Sequence, residues 1–291
     1  MRALPRRMST LLPIAFVLAA MASVQMGASI AKTMFPAVGP VGMVAVRIAL
    51  GTIVLCLLMR PWRARITAGT WRPLAVYGVT LGVMNLFYYL SLSRVPLGIA
   101  VAIEFTGPLA VAVFSSRRLL DFCWILLAAA GLLLLLPVAR VGVGIDPLGG
   151  LFALAAGACW ALYIIYGQRA GANHGTQTVA LGSIISAFMV VPIGLIARGT
   201  TLLAPSILLP GLAVGILSTA LPYTLEMYAL TRLPARTFGI LMSIEPAFGA
   251  LLGVVYLHEW LTTIQWTAIA LVIVASIGAT ASARQTIATV A

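Results

Sequence analysis

The sequence LSRVP at residues 92–96 returns as LTRLP at residues 230–234, in each case directly after a long apolar run. A short distance further along, IEFTGP at residues 103–108 resembles IEP at residues 244–246. Each copy therefore brings a glutamate and a proline close behind the same turn. This recurrence predicts a chain of two related halves.

The composition around these motifs restricts the class of protein. Of the 291 residues, 62% are apolar and 8% are charged, and the mean hydropathy is +1.10. An ordinary soluble domain has about 25% charged residues, so this chain has too few polar groups to cover a soluble surface. These values exclude a soluble globular enzyme, a disulfide scaffold and a disordered chain. They predict an all-α polytopic membrane protein, because helices satisfy their own backbone groups in lipid.

Ten apolar runs are each long enough to cross the hydrocarbon core, which takes about 20 residues. They cover approximately residues 11–31, 38–59, 73–93, 97–115, 121–139, 148–167, 178–197, 207–228, 236–257 and 262–282. The first run follows three arginines as in a signal peptide, but it continues to Ala31, which predicts an uncleaved transmembrane helix. The helices divide into five in residues 1–141 and five in residues 142–291. Because five is odd, we expect the second half to be inverted, as is typical of alternating-access transporters.

The basic residues predict the orientation of the chain. With the N-terminus inside, 13 of the 18 lysines and arginines fall on the inner side, four fall on the outer side, and Arg47 lies within the second run. This excess follows the positive-inside rule, so both termini are expected in the cytoplasm. The short loops account for the net charge of +12, and no nucleic-acid recognition motif accompanies it.

Several longer stretches resemble a known family. They are GASIAK at 27–32, VPLGIA at 95–100, EFTGPLA at 104–110, SSRR at 115–118, GACWALY at 157–163, GQRAG at 167–171, STALPY at 218–223 and LTRLP at 230–234. Nearly the whole chain resembles the EamA family of the drug/metabolite transporter superfamily, and within it the branch that exports threonine and homoserine. The resemblance implies ten helices in two inverted five-helix repeats around a central cavity. It also implies efflux of small amino acids across the inner membrane in exchange for protons.

Two glutamates are the candidates for proton coupling. A charged side chain within a membrane span is costly, so each one is a functional candidate. Glu104 precedes Pro108 by four residues, and Glu245 directly precedes Pro246. Each proline lacks an N–H group and frees a backbone carbonyl one turn earlier. Burial raises the pKa of a carboxyl group, so such a glutamate can exchange protons near neutral pH. The alternative is that these glutamates only hold two helices together.

Three further charged residues are candidates for substrate binding, because an amino acid presents both a carboxylate and an ammonium group. Arg47 can bind a carboxylate with two hydrogen bonds, although permanent pairing with a glutamate is the interpretation we favour. Lys32 either contacts substrate or extends to the outer interface. Glu226 either faces the cavity or pairs with a buried base. Asp121 and Asp146 lie in predicted loops, where we expect them to be solvated.

Uncharged polar and aromatic residues complete the predicted site. Asn85 and Tyr88 lie within the third run and are suited to recognise a side-chain hydroxyl group. Trp160 and Tyr163 are one turn apart and are suited to line a small cavity or face an ammonium group. The alternative for Asn85, and for Gln25 in the first run, is a hydrogen bond between neighbouring helices.

Other classes of mechanism lack their motifs. There is no phosphate-binding G-x-x-x-x-G-K-[ST] loop, so the chain is not expected to use ATP. Three scattered cysteines and two histidines offer no metal-ligand spacing, and no cofactor is expected. The sequence therefore predicts a transporter rather than an enzyme, with amino acid, protons and lipid as its partners. The rival interpretations are a nucleotide-sugar or drug carrier of the same superfamily, and an intramembrane binding or scaffold protein.

Overall fold

A computed structural model describes residues 6–95, 97–115, 119–135 and 146–242, together with single positions between 244 and 278. Within these ranges the regular elements are all helical. The α-helices are α1 (Arg6–Met59), α2 (Trp71–Leu92), α3 (Leu97–Glu104), α4 (Thr106–Ser115), α5 (Leu119–Leu135), α6 (Pro147–His174), α7 (Gln177–Arg198), α8 (Pro205–Gly215), α9 (Leu221–Leu230) and α10 (Ala235–Met242).

Five described stretches are long and apolar enough to cross a membrane. They are Leu11–Met59, Trp71–Leu92, Pro147–His174, Gln177–Leu203 and Pro205–Leu230. The fold is therefore that of a polytopic helical membrane protein. The predicted spans after residue 242 lie largely outside the described residues.

Helix α1 consists of two helical segments joined at Gly39. That residue has φ 65° and ψ 171°, a conformation that glycine adopts readily, and Pro40 follows it without an N–H group to continue the helix. As a straight helix, the apolar stretch Leu11–Met59 would be about 74 Å long at about 1.5 Å per residue, more than twice the hydrocarbon thickness. The bend therefore divides α1 into two spans.

A π-helical turn, Ile216–Ala220, joins α8 to α9. The Leu221 N–H donates to the carbonyl of Ile216, five residues earlier. Both segments of α1 approach this turn closely: a Cβ atom on Gly27 would lie 2.1 Å from the Ser218 Oγ, and one on Gly51 would lie 2.7 Å from the Thr219 Cβ. The two glycines thus bring the α1 backbone against the π turn.

The apolar run at residues 97–115, which we predicted as one helix, is broken near Pro108. Helix α3 ends at Glu104, four residues before Pro108, and α4 begins at Thr106. Beyond this break, α4 packs backbone against backbone on α6, since a Cβ atom on Gly107 would lie 1.9 Å from the Gly157 carbonyl oxygen.

The first copy of the repeated turn, residues 92–96, packs against α1 and α6. Leu92 and Val95 contact Phe35, near the end of the first α1 segment. A Cβ atom on Gly149, near the start of α6, would lie 2.8 Å from the Arg94 Cβ. This turn therefore lies at the end of the first α1 segment and the beginning of α6.

The second copy, residues 230–234, packs against the same two helices at other positions. The ring of Tyr228, just before the turn, lies 4.9 Å from that of Phe16, near the start of α1. A Cβ atom on Gly171, near the end of α6, would lie 2.5 Å from the Thr231 Cγ2. This turn therefore lies at the beginning of α1 and the end of α6.

Candidate functional site

The site is organised around Arg47, which lies in the second segment of α1 and is only 3% exposed. Its Nη1 donates to the Ser218 carbonyl at 3.1 Å, and its Nη2 donates to the Asn85 Oδ1. The guanidinium lies over the ring of Tyr89, 4.8 Å from the ring centroid. Its Nε has no hydrogen-bond partner among the described residues. These bonds use two of its five N–H donors, and the Nε–H is among those left for a ligand.

The Ser218 carbonyl is available to Arg47 for a local reason. In a regular α-helix the Ser218 carbonyl would accept a hydrogen bond from the N–H of residue 222. That residue is Pro222, which has no N–H to donate. The carbonyl lies within the π turn, a feature that is frequent at functional sites. The local sequence thus supplies an acceptor for a buried guanidinium.

Asn85 lies in α2 and orients the other side of Arg47. Its Nδ2 donates to the Leu81 carbonyl at 2.7 Å. Its Oδ1 accepts hydrogen bonds both from Arg47 and from the Tyr223 hydroxyl, the latter at 3.0 Å. The two lone pairs of the amide oxygen are thus in use. Asn85 therefore bridges helices, as one of the sequence interpretations proposed.

The favoured prediction that Arg47 pairs with a glutamate is wrong. The ion pair within 4.0 Å in the described part of the chain joins Arg94 to Asp146. Arg47 instead donates to two neutral oxygens, because the carbonyl of Ser218 and the amide of Asn85 are packed directly against it. Glu104 still lies close enough to Arg47 to interact with it electrostatically.

Three carboxylates lie around this centre. Glu104 and Glu226 are each 7% exposed, and Glu245 is half-buried. Glu245 interacts electrostatically with both of the others. The Glu245 Oε1 accepts a hydrogen bond from the Gln25 Nε2 at 3.3 Å, and the Glu226 Oε2 accepts one from the Tyr163 hydroxyl at 3.1 Å. The structure thus brings together the two predicted proton-coupling residues.

Tyr88 lies between the cation and the carboxylates. It interacts electrostatically with Glu104, Glu245 and Arg47. Its ring meets that of Tyr89 edge-on, with 6.0 Å between the centroids. Tyr88 is therefore placed among the charged groups of the cluster, whereas Asn85 is engaged in holding Arg47.

Other predicted residues are packed into the core or exposed. Trp160 packs edge-on against Phe105 at 6.4 Å, and Tyr163 stacks on Tyr77 at 5.1 Å, while the Tyr163 hydroxyl also donates to Glu226 in the carboxylate cluster. The Lys32 side chain is exposed, so the structure does not bring it into the buried cluster. This exposure agrees with the interfacial alternative for Lys32.

Sequence reasoning missed two residues of the site and weighed a third only as a link between helices. Ser218 and Tyr223 occur in the STALPY stretch, which served as a family motif without a site assignment. Pro222 was the available signal for Ser218, whereas Tyr223 carries no local signal. Gln25 holds Glu245 with its amide nitrogen, while its Oε1 is buried without a partner in the described part of the protein.

Of the two aspartates expected to be solvated in loops, Asp146 is partly exposed before α6, whereas Asp121 is buried. Asp121 is buried in the first turn of α5, where the helix N-terminus favours a carboxylate, so that expectation is wrong. Asp146 caps α6 and accepts from the N–H groups of Leu148 and Gly149. The Gly149 N–H and the Arg94 guanidinium lower the pKa of Asp146.

No group of three or more histidine, cysteine, aspartate or glutamate side chains suited to a metal ion occurs in the described ranges. The arrangement around Arg47 instead offers a cationic donor and several carboxylates within one buried cluster. Such a cluster can bind a small molecule that carries both charges.

Comparisons with known proteins agree with this arrangement. Residues 147–281 match the model of the EamA-like transporter family. The chain is 56% identical over 280 residues to the threonine/homoserine exporter RhtA of Escherichia coli K12, covering 96% of this chain and 95% of that protein. It is 55% identical over the same shares to RhtA of Salmonella typhimurium LT2. A solved structure described as a crystal structure of a protein shares the fold at a TM-score of 0.77 and 24% identity, covering 97% of this chain and 99% of that chain.

Proposed function

We propose, from the premise that the chain belongs to the EamA-like transporter family, that it exports threonine, homoserine and similar small amino acids across the inner membrane in exchange for protons. The chain is a multi-pass membrane transporter and not an enzyme. The substrates are inferred from the RhtA relatives.

One observation carries this proposal: a buried arginine, whose Nε has no hydrogen-bond partner among the described residues, interacts electrostatically with Glu104, which in turn interacts with Glu245. Arg47 can donate to a substrate carboxylate, and Glu104 and Glu245 can accept from its ammonium group. Charge pairs are much stronger in a low-dielectric interior than in water. The cost of burying these charges is then offset when substrate binds, which explains why they stand in a membrane span.

The same two glutamates support proton antiport. Glu104 and Glu245 interact electrostatically, and two nearby carboxylates disfavour being ionised together. A proton and a substrate ammonium group therefore compete for the same negative charge. Because the site holds one or the other, movement of the amino acid in one direction is coupled to movement of protons in the opposite direction.

Two inverted five-helix repeats, residues 1–141 and 142–291, are proposed as the basis of alternating access. The two repeated turns support this arrangement, since one lies at the end of the first α1 segment and the other at its beginning. Rocking of one repeat against the other would then expose the central cluster to each side in turn. Both termini are placed in the cytoplasm by the distribution of basic residues.

The test uses purified protein in liposomes with an imposed pH gradient and follows radiolabelled threonine and homoserine. We expect gradient-driven movement of both amino acids and none of a nucleotide sugar. Glu104→Gln should abolish the response to the gradient while leaving some threonine exchange, because glutamine cannot release a proton. Unaltered coupling in Glu104→Gln would refute the assignment of Glu104, and movement of the nucleotide sugar alone would refute the substrate class.

A further inference from the structure

Tyr223 interacts with Arg47 electrostatically and is also linked to it by hydrogen bonds through Asn85. It lies in α9 and is buried, and its hydroxyl donates to the Asn85 Oδ1 at 3.0 Å. The same oxygen accepts from the Arg47 Nη2. The amide is held on its other side by the bond from Nδ2 to the Leu81 carbonyl at 2.7 Å. Tyr223 therefore fixes the rotation of the Asn85 amide from a neighbouring helix.

We propose that Tyr223 is a positioning residue for transport: through Asn85 it holds the guanidinium of Arg47 in the orientation that leaves Nε for the substrate carboxylate. This inference rests on the proposed function. Tyr223 itself touches no substrate in this scheme, and it acts on Arg47 through the Asn85 amide as well as by its own electrostatic interaction with the guanidinium.

The need for such positioning follows from the arginine side chain. A guanidinium on a long flexible stem binds a carboxylate well only when its planar donors are oriented beforehand. Here the Tyr89 ring limits one face, and the Ser218 carbonyl and the Asn85 amide oxygen engage Nη1 and Nη2. If the amide of Asn85 can rotate, one of these acceptors is lost and Nη2 competes for other partners.

The bond also joins corresponding positions of the two halves. The repeated turns are offset by 138 residues, and the same offset separates Asn85 from Tyr223. A side chain of the second half thus sets the geometry of a binding group in the first half. Substrate binding is thereby made dependent on how the two halves meet.

Tyr223→Phe removes the hydroxyl and keeps the ring. In liposomes, the KM for threonine counterflow should rise by about 3- to 10-fold, the effect of losing one buried neutral hydrogen bond. Because Tyr223 positions a binding group, Vmax should stay within about twofold of the wild-type value. Tyr228→Phe is the matched control, because Tyr228 lies in the same helix as Tyr223 and its ring contacts Phe16 and Arg232 rather than the Arg47 site. It should leave KM unchanged. A purely structural loss in Tyr223→Phe would lower Vmax and thermal stability without raising KM.

A double-mutant comparison tests whether Tyr223 acts through Asn85. Asn85→Ala should raise KM, and Tyr223→Phe should raise it by a smaller factor in that background than in the wild-type protein; fully additive effects would overturn the inference. Asn85→Asp keeps an oxygen that accepts from both Arg47 and Tyr223, so we expect this variant to fold. Its negative charge pairs with Arg47, and it should therefore raise KM more than Asn85→Ala or Tyr223→Phe does. If the wild-type protein exchanges threonine and the KM is unchanged in Tyr223→Phe or in Asn85→Asp, this inference is overturned and the proposed function stands. Absence of threonine exchange in the wild-type protein overturns the proposed function and this inference together.

Discussion

The turn after α2 and the turn after α9 have the same backbone and different attachments. In the first, the N–H groups of Arg94 and Val95 both donate to the carbonyl of Ser91. In the second, those of Arg232 and Leu233 both donate to the carbonyl of Ala229. Residues 138 positions apart in the two turns therefore share both their sequence pattern and their backbone hydrogen bonds.

The attachments of the two turns to α6 are of different kinds. The first turn is held by an exposed ion pair, from the Arg94 Nη1 to the Asp146 Oδ2 at 3.1 Å. The second is held by a neutral amide, since the Gln168 Nε2 donates to the carbonyls of Leu230 and Leu233, each at 3.2 Å. Because the two attachments respond differently to salt and pH, the two ends of the molecule can be loosened separately.

The chemistry of the two halves also departs from their shared backbone. The offset that aligns the turns places Glu104 at the position of Met242, and Gly107 at the position of Glu245. The glutamate thus shifts by three residues between the halves, close to one helical turn. At the position where the second half carries its glutamate, the first half carries the glycine that contacts α6. The repeat retains the proline, since Pro108 aligns with Pro246, and not the placement of the carboxylate.

The largest effect is expected from filling that glycine position. A Cβ atom on Gly107 would lie 1.9 Å from the Gly157 carbonyl oxygen, and backbone cannot move aside as a flexible side chain can. Gly107→Val should therefore destabilise the protein by about 3 kcal/mol or more, the upper range for overpacking. Thermal unfolding of the purified protein in detergent measures the change.

The control for this substitution is Gly69→Ala, where a Cβ atom meets nothing within 4 Å. It should leave the unfolding temperature unchanged. A Gly107→Val protein as stable as this control would show that α4 and α6 do not require the close approach.

The membrane class, the family and the two related turns could be predicted from sequence because each depends on local patterns of residues. We predicted one continuous run over residues 97–115, although Pro108 removes a donor four residues after the Glu104 carbonyl and the structure breaks the helix there. The partners of Arg47 could not be predicted. Asn85 and Ser218 lie 38 and 171 residues away from it, and nothing in the local sequence selects them over a glutamate.

The error at Asp121 has a similar cause. Asp121 was expected in a loop, and the structure begins α5 before it and buries its side chain. Trp160 and Tyr163 have the spacing of a cavity wall, but the same spacing also packs two aromatic rings into a core. Sequence periodicity identifies a buried helix face without identifying what covers it.

A medium effect is expected from loosening the second turn. Pro234 has no N–H, so the Leu230 carbonyl lacks its regular helical partner and depends on Gln168. Gln168→Leu leaves two carbonyls without this donor and should cost about 1–3 kcal/mol of stability. Gln177→Leu is the matched control, because the Gln177 amide makes only longer bonds of 3.4 and 3.5 Å to the carbonyls of Arg60 and Met59. Equal shifts in unfolding temperature for the two variants would contradict a special role for Gln168.

The smallest effect is expected from the ion pair at the first turn. Exposed ion pairs contribute little and are screened by salt. Arg94→Gln should therefore lower the unfolding temperature less than Gln168→Leu does, and the difference from wild type should shrink in 1 M salt, an ionic strength at which the screening length is about 3 Å.

The pKa of Asp146 is lowered in the folded protein, so its contribution to stability is present above the unfolded-state pKa of about 4 and is lost as the pH falls further. Asp146→Asn should remove that loss of stability on acidification while leaving the response to salt of the second turn unchanged. If the Asp146→Asn protein lost as much stability on acidification as the wild-type protein does, the Arg94–Asp146 ion pair would not be the pH-dependent attachment of the first turn, and the proposed difference between the two turns would be refuted.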